Sequence, residues 1–108
     1  MTNKKPSGSK AALVSYITII GAIIAMSMNS QEKNDFARFH IRQAFGTHLL
    51  FHACALFISN YFNPLAFTGL WLIYMLMWGF GFWAAIHGKK SLTPIVGSYF
   101  QKWFTFVN

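Results

Sequence analysis

Acidic residues are nearly missing from this chain. Glu32 and Asp35 stand alone against nine lysines and arginines, and charged residues of either sign make up 10% of the 108 positions. A soluble globular domain carries roughly a quarter, so that class is set aside. No carboxylate falls in any apolar run, which removes an intramembrane acid pair. A Ser/His/Asp set and a glycine-rich phosphate loop ahead of a helix are missing as well, and the sequence points to no enzyme. Cysteine is reduced to Cys54, inside an apolar run, where it reads as a packing residue and permits no intramolecular disulfide. The net charge of +7 invites a nucleic-acid partner. However, no basic helix or aromatic ladder lies outside the apolar runs, and basic residues bordering such runs meet anionic lipid instead. No nucleic acid is expected.

What the chain does have is apolar surface, with 55% hydrophobic and 19% aromatic residues. One domain of this length cannot bury so many large side chains in its own core, so a lipid bilayer must cover them. Met1 to Lys10, MTNKKPSGSK, reads as a disordered basic tail, and residues 11–108 as a single helical membrane domain. The run from Ala11 to Met28 would make about 27 Å of helix, a first span. Its basic start and the Ala25-Met26-Ser27 step resemble a secretory signal with a cleavage site, but the run is longer than a signal core. Gly21 and Ala25 form a small-xxx-small pair that permits close helix approach. Asn29 to Asp35 must lie outside the bilayer, with Asp35 or Asn34 capping the next helix.

That central helix supplies a second span over residues 40–60. Asn63-Pro64 marks a turn, and a third span follows over 67–86, with Trp71, Tyr74, Trp78, Gly81 and Ala85 on one packing stripe. His87-Gly88-Lys89-Lys90 stops it. Pro94 then opens a short helix, 94–107, with Ile95, Val96, Tyr99, Phe100, Trp103, Phe104, Phe106 and Val107 on one side, the pattern of a helix lying in the interface. The expected fold is an all-α membrane protein with three transmembrane helices plus a C-terminal amphipathic interfacial helix. Three spans put the termini on opposite sides. The excess of Lys33, Arg38, Arg42, Lys89, Lys90 and Lys102 places the first loop and the C-terminus in the cytoplasm.

The central helix carries most of the polar chemistry. At 100° per residue, His40, Gln43 and Thr47 make one stripe and His48, His52 and Ser59 a second, while Arg38 and Arg42 lie on a third side near the entrance. Phe45, Leu49, Ala53, Leu56 and Phe57 make the lipid-facing side. Polar side chains in a span face protein or water, so other spans or another subunit should cover both stripes. The default reading is hydrogen-bonded packing histidines with no cofactor and no metal. The alternative is a haem- or metal-binding redox protein using His48 and His52, spaced i, i+4.

The segment RFHIRQAFG, Arg38 to Gly46, resembles the RFH-containing region of the Tic20-like family, which includes a chloroplast inner-envelope protein-import component and many small bacterial membrane proteins. The stretch HGKKSLTPIVGSYFQKWF after the last span is similar to that family's glycine, proline and short terminal helix. The resemblance implies a non-enzymatic, multi-pass protein of a bacterial inner membrane, acting as a subunit or accessory of a larger, protein-translocation-related assembly. Its partners would be the lipid bilayer and either further copies of itself or other membrane proteins. Arg38, Phe39, His40 and Gln43 carry over as a membrane-entrance and interaction motif, which Arg42 and Thr47 extend. The plastid family has four spans, whereas this chain has room for three plus an interfacial helix. A small oligomeric transporter is the remaining alternative.

Overall fold

The computed structural model describes residues 8–59, 63–92 and 96–107. The tail before Gly8, residues 60–62 ahead of the Asn63-Pro64 turn and the expected helix start at Pro94 lie outside them. The described residues form five helices and no strand: α1 (Ser9–Ser15), α2 (Ile19–Asn29), α3 (Asp35–Ser59), α4 (Pro64–Ile86) and α5 (Gly97–Trp103).

The first apolar run is not a span. Its helix breaks at Tyr16–Thr18, where four consecutive β-branched residues, Ile17 to Ile20, weaken helix propagation. Thr18 is extended, and its hydroxyl accepts from the Gly21 amide at 3.2 Å, so it caps a new helix. α2 then folds back along α1. A Cβ on Gly21 would stand 2.4 Å from the Val14 carbonyl oxygen, and only glycine permits so close an approach. Eleven residues of α2 amount to about 16 Å, roughly half a hydrocarbon core. The start of α1 returns to the level of α3's first turn, with Gly8 against Asn34 and Ala37. The two ends of the first run are therefore on one side of the molecule, not on opposite sides.

Asn29 and Asn34 close the loop between α2 and α3 reciprocally. The Asn34 amide donates to Asn29 Oδ1 at 2.9 Å, and Asn29 Nδ2 donates to the Asn34 carbonyl at 3.2 Å. Asn34, not Asp35, caps α3, its side-chain oxygen accepting from the Ala37 amide at 3.0 Å. Asp35 instead pairs with Arg38 and Lys90. α3 is the central rod, and each other helix packs on it. α4 runs antiparallel beside it, with Phe51 against Trp71 and Tyr74 near the middle. α4 begins three residues before the expected span, because the Asn63 side chain caps Leu65 and Ala66 and Pro64 suits the first turn.

Among the described residues α4 is the one helix long and apolar enough to cross a membrane by length and composition. Three such helices are not present: the first run is broken, and α3 carries Asp35, Arg38 and Arg42 in its opening turns.

α5 is shorter than the expected interfacial helix and does not lie free. Phe100 is buried against Gly46, where an added Cβ would stand 2.4 Å from the ring. Val107 is buried with Ala11, Ala25, Ala37 and Ile41, and Phe104 packs edge-on to Phe45 at 5.1 Å. The apolar side is thus divided: Phe100 and Val107 are buried against α3, Phe104 and Phe106 meet the Phe45 ring edge-on, and Tyr99, Trp103 and most of Phe106 remain exposed.

Where the helices cross, most of the buried apolar residues are alanines, Ala11, Ala12, Ala22, Ala25, Ala37, Ala44, Ala84 and Ala85, with Phe36, Ile41, Phe51, Phe100 and Val107 as the larger aliphatic and phenyl side chains among them. The largest fully buried side chains are mostly polar: Tyr16, His40, His48, Gln43, Asn29 and Ser15, joined by Ile41 and Val107. Large hydrophobics lie outside, with Ile17, Ile20, Leu56, Leu65, Leu72 and Leu76 each more than 60% exposed. A water-soluble domain has the reverse distribution.

Candidate functional site

The buried polar residues form two linked groups, each built around a histidine of α3. His40 lies in a cage of rings, edge-on to Tyr16, Phe36 and Phe39 with centroids 4.8–5.6 Å away. Its Nε2 is 2.7 Å from the Lys89 carbonyl oxygen. A carbonyl only accepts, so Nε2 carries the proton. Nδ1 of the neutral ring then accepts from the Tyr16 hydroxyl at 2.7 Å. Gln43 Nε2 donates to the same hydroxyl and to the Ser91 carbonyl, both at 3.2 Å.

His48, two turns further along, repeats the pattern. Its Nε2 donates to the Ser15 carbonyl at 3.1 Å, and its Nδ1 accepts from the Tyr74 hydroxyl at 2.8 Å. Trp78 completes the set by donating its indole N–H to the Tyr16 carbonyl. Tyr16 lies across Gly81, close enough that a methyl group there would meet its ring.

These bonds share one purpose. The carbonyls of Ser15 and Tyr16 are freed where α1 stops, and those of Lys89 and Ser91 where the chain leaves α4. Helix ends leave such groups without an intrahelical partner. The donors that satisfy them come from α3 and α4, 33 to 62 residues away in the chain. The same logic holds at α5. Arg42 spreads its guanidinium over the carbonyls of Gln101, Thr105 and Val107 at 3.0–3.4 Å, and Gln101 returns a bond to the Phe39 carbonyl at 2.8 Å. A five-donor fork suits a converging set of carbonyls.

The six residues of the sequence motif therefore separate. His40 and Gln43 meet at Tyr16. Phe39 supplies a ring to the cage and a carbonyl to α5. Arg42 fastens the C-terminal segment instead of reaching for headgroups. Arg38 is partly exposed and paired with Asp35. Thr47, placed on the His40 stripe, does not join the network: its hydroxyl bonds its own helix at the Gln43 carbonyl, 2.9 Å away. The second stripe also separates. His48 has both ring nitrogens engaged and is buried, while His52 is exposed and meets the edge of the Phe51 ring. Among the described residues no group of three or more His, Cys, Asp or Glu comes together.

Sequence reasoning missed Tyr16, Trp78 and Tyr74 as members of the site. The available signal was the polar trio Ser15, Tyr16 and Thr18 inside an otherwise apolar run. The aromatic stripe of α4 is a packing surface as expected, since Trp71, Tyr74, Trp78, Gly81 and Ala85 all meet neighbouring helices. Comparison with known proteins places nothing beside this arrangement: the chain matches no family model, no curated protein and no solved structure.

Proposed function

We propose that this chain is an integral membrane protein in which the α3–α4 hairpin crosses the bilayer. In this reading α1–α2 is a re-entrant hairpin that dips in from the charged end and returns, and the molecule serves as a non-enzymatic subunit or accessory of a larger membrane assembly. The carrying observation is the burial pattern: polar side chains and alanines make up most of the interior, with a few large hydrophobics such as Phe36, Ile41, Phe51 and Phe100, while most large hydrophobics lie outside. Lipid is the solvent for which that distribution is favourable, because small residues let helices approach and polar groups must be satisfied within the protein.

The charge distribution supports the same reading. No Asp, Glu, Lys or Arg occurs from Gln43 to Gly88, which is the whole of α4 and the part of α3 beside it. The freed carbonyls at Ser15 and Tyr16 lie level with His48 and Trp78, inside the slab that this hairpin would span. Irregular backbone at membrane depth is tolerated only where protein or water satisfies it, and the tyrosine–histidine network meets that requirement. The charged end then faces the cytoplasm by the positive-inside rule, in a bacterial inner membrane. A protein-translocation-related assembly, further copies of the chain or other membrane proteins as partners rest on the Tic20-like resemblance of the Arg38–Gly46 segment.

Single cysteines placed at Lys10, Ser30 and Asn63 in a Cys54→Ser background test the topology with an impermeant thiol reagent on intact cells. Lys10 and Ser30 are expected to be protected alike, and Asn63 labelled. Opposite results at Lys10 and Ser30 would mean that α1–α2 crosses fully, and the re-entrant reading would fall.

A further inference from the structure

The geometry points to the charged end as a docking surface for anionic phospholipid headgroups, an inference that rests on the membrane reading above. Its cations do not all have the same occupation. Arg38 and Lys90 are held by Asp35, and Arg42 is committed to the carbonyls around α5. Lys10, Lys33, Lys89 and Lys102 are exposed and form no ion pair with any described residue.

These four lysines come from four separate parts of the chain that the fold gathers around the first turns of α3. Lys10 lies in the first turn of α1, and Gly8, just ahead of that helix, is set against Asn34 and Ala37. Lys33 lies in the turn before α3. Lys89 follows α4, with its own carbonyl bound to His40, and Lys102 follows Gln101, which is bonded to Phe39. Glu32 is the one described acid not already paired there. The result is a basic collar at the level where the uncharged hairpin begins.

The aromatic residues fit a headgroup layer more than a free polyanion. Trp83, Tyr99 and Trp103 are each about half exposed or more, and the Lys89 ammonium stands 5.2 Å from the centre of the Trp83 ring. Tryptophan and tyrosine favour the membrane–water boundary, and lysines at such a boundary attract anionic lipid while salt screens them. The committed occupant is a phospholipid with net negative charge in the leaflet facing this end.

The test reconstitutes the full chain in bilayers and compares the association of spin-labelled phosphatidylglycerol with that of spin-labelled phosphatidylcholine. A several-fold preference for phosphatidylglycerol at low salt is expected, shrinking as salt rises. The variant carrying Lys10→Gln, Lys33→Gln, Lys89→Gln and Lys102→Gln should lose most of it, bringing the association of the two lipids close to equal. The same four positions changed to arginine should keep it. Equal association of the two lipids with the unmodified protein would overturn the inference, as would a preference that the glutamine variant retains in full. Extraction of the unmodified protein by alkaline carbonate would overturn the membrane reading itself. Resistance to carbonate without lipid preference would remove only the collar.

Discussion

Around the first turns of α3, helices, turns and the C-terminal segment meet, and the buried polar groups there answer one another: Tyr16 is met by His40 and Gln43, Asn29 by Asn34, and Arg42 by the carbonyls that follow α5. Along the far half of the α3–α4 hairpin the contacts are rings and aliphatic chains, and Leu56, Leu65 and Leu76 are more than 70% exposed. The two regions share one long helix and differ in what their neighbours require. Interrupted backbone needs donors, so the charged end is polar inside. Continuous helix satisfies its own backbone, so the hairpin needs none and can present hydrocarbon all round. The polar residues of α3 are thus placed where other segments break, and Gln43 and His48 are there to serve α1 and the end of α4.

The sharpest test of this contrast removes the donors. His40→Ala together with Gln43→Ala leaves the Tyr16 hydroxyl and the carbonyls of Lys89 and Ser91 without these partners, and should cost about 3–5 kcal/mol of stability in detergent micelles. Because both side chains share the Tyr16 hydroxyl, the double variant should depart from the sum of the singles by at least about 0.5 kcal/mol. A denaturant titration that finds the double variant as stable as the parent would end the claim that this network holds the fold.

The smallest change belongs to the hairpin: Leu76→Ala, at a side chain 74% exposed, should shift stability by less than about 0.5 kcal/mol. A loss of several kcal/mol, measured in the same micelles, would mean that another chain packs there.

Some of this was readable without coordinates. The loop at Asn29–Asp35, the turn at Asn63-Pro64 and the packing stripe of α4 follow from local pattern, and of the five residues expected on the outer face of α3, Leu49, Ala53, Leu56 and Phe57 are exposed whereas Phe45 packs against Phe104 and Phe106. The break at Tyr16–Thr18 did not follow, because a largely apolar run of eighteen residues satisfies the length rule for a span and a single threonine cap is a faint signal inside it. The role of Arg42 was hidden for a different reason. An arginine at the start of a membrane helix has a ready explanation as a headgroup anchor, and the carbonyls it binds lie about sixty residues later in the chain.

By itself the sequence determined that the chain is helical, that its apolar surface exceeds what it can bury, and that charge avoids the residues from Gln43 to Gly88. These are properties of composition and period, carried by each segment independently. Only the tertiary structure decided that the first run turns back, that Tyr16 meets His40, and that His48 serves Ser15 while His52 stands apart. Those outcomes depend on where helices stop. A freed carbonyl has no residue type of its own, so its partner can be recognised only once the fold has brought the two together.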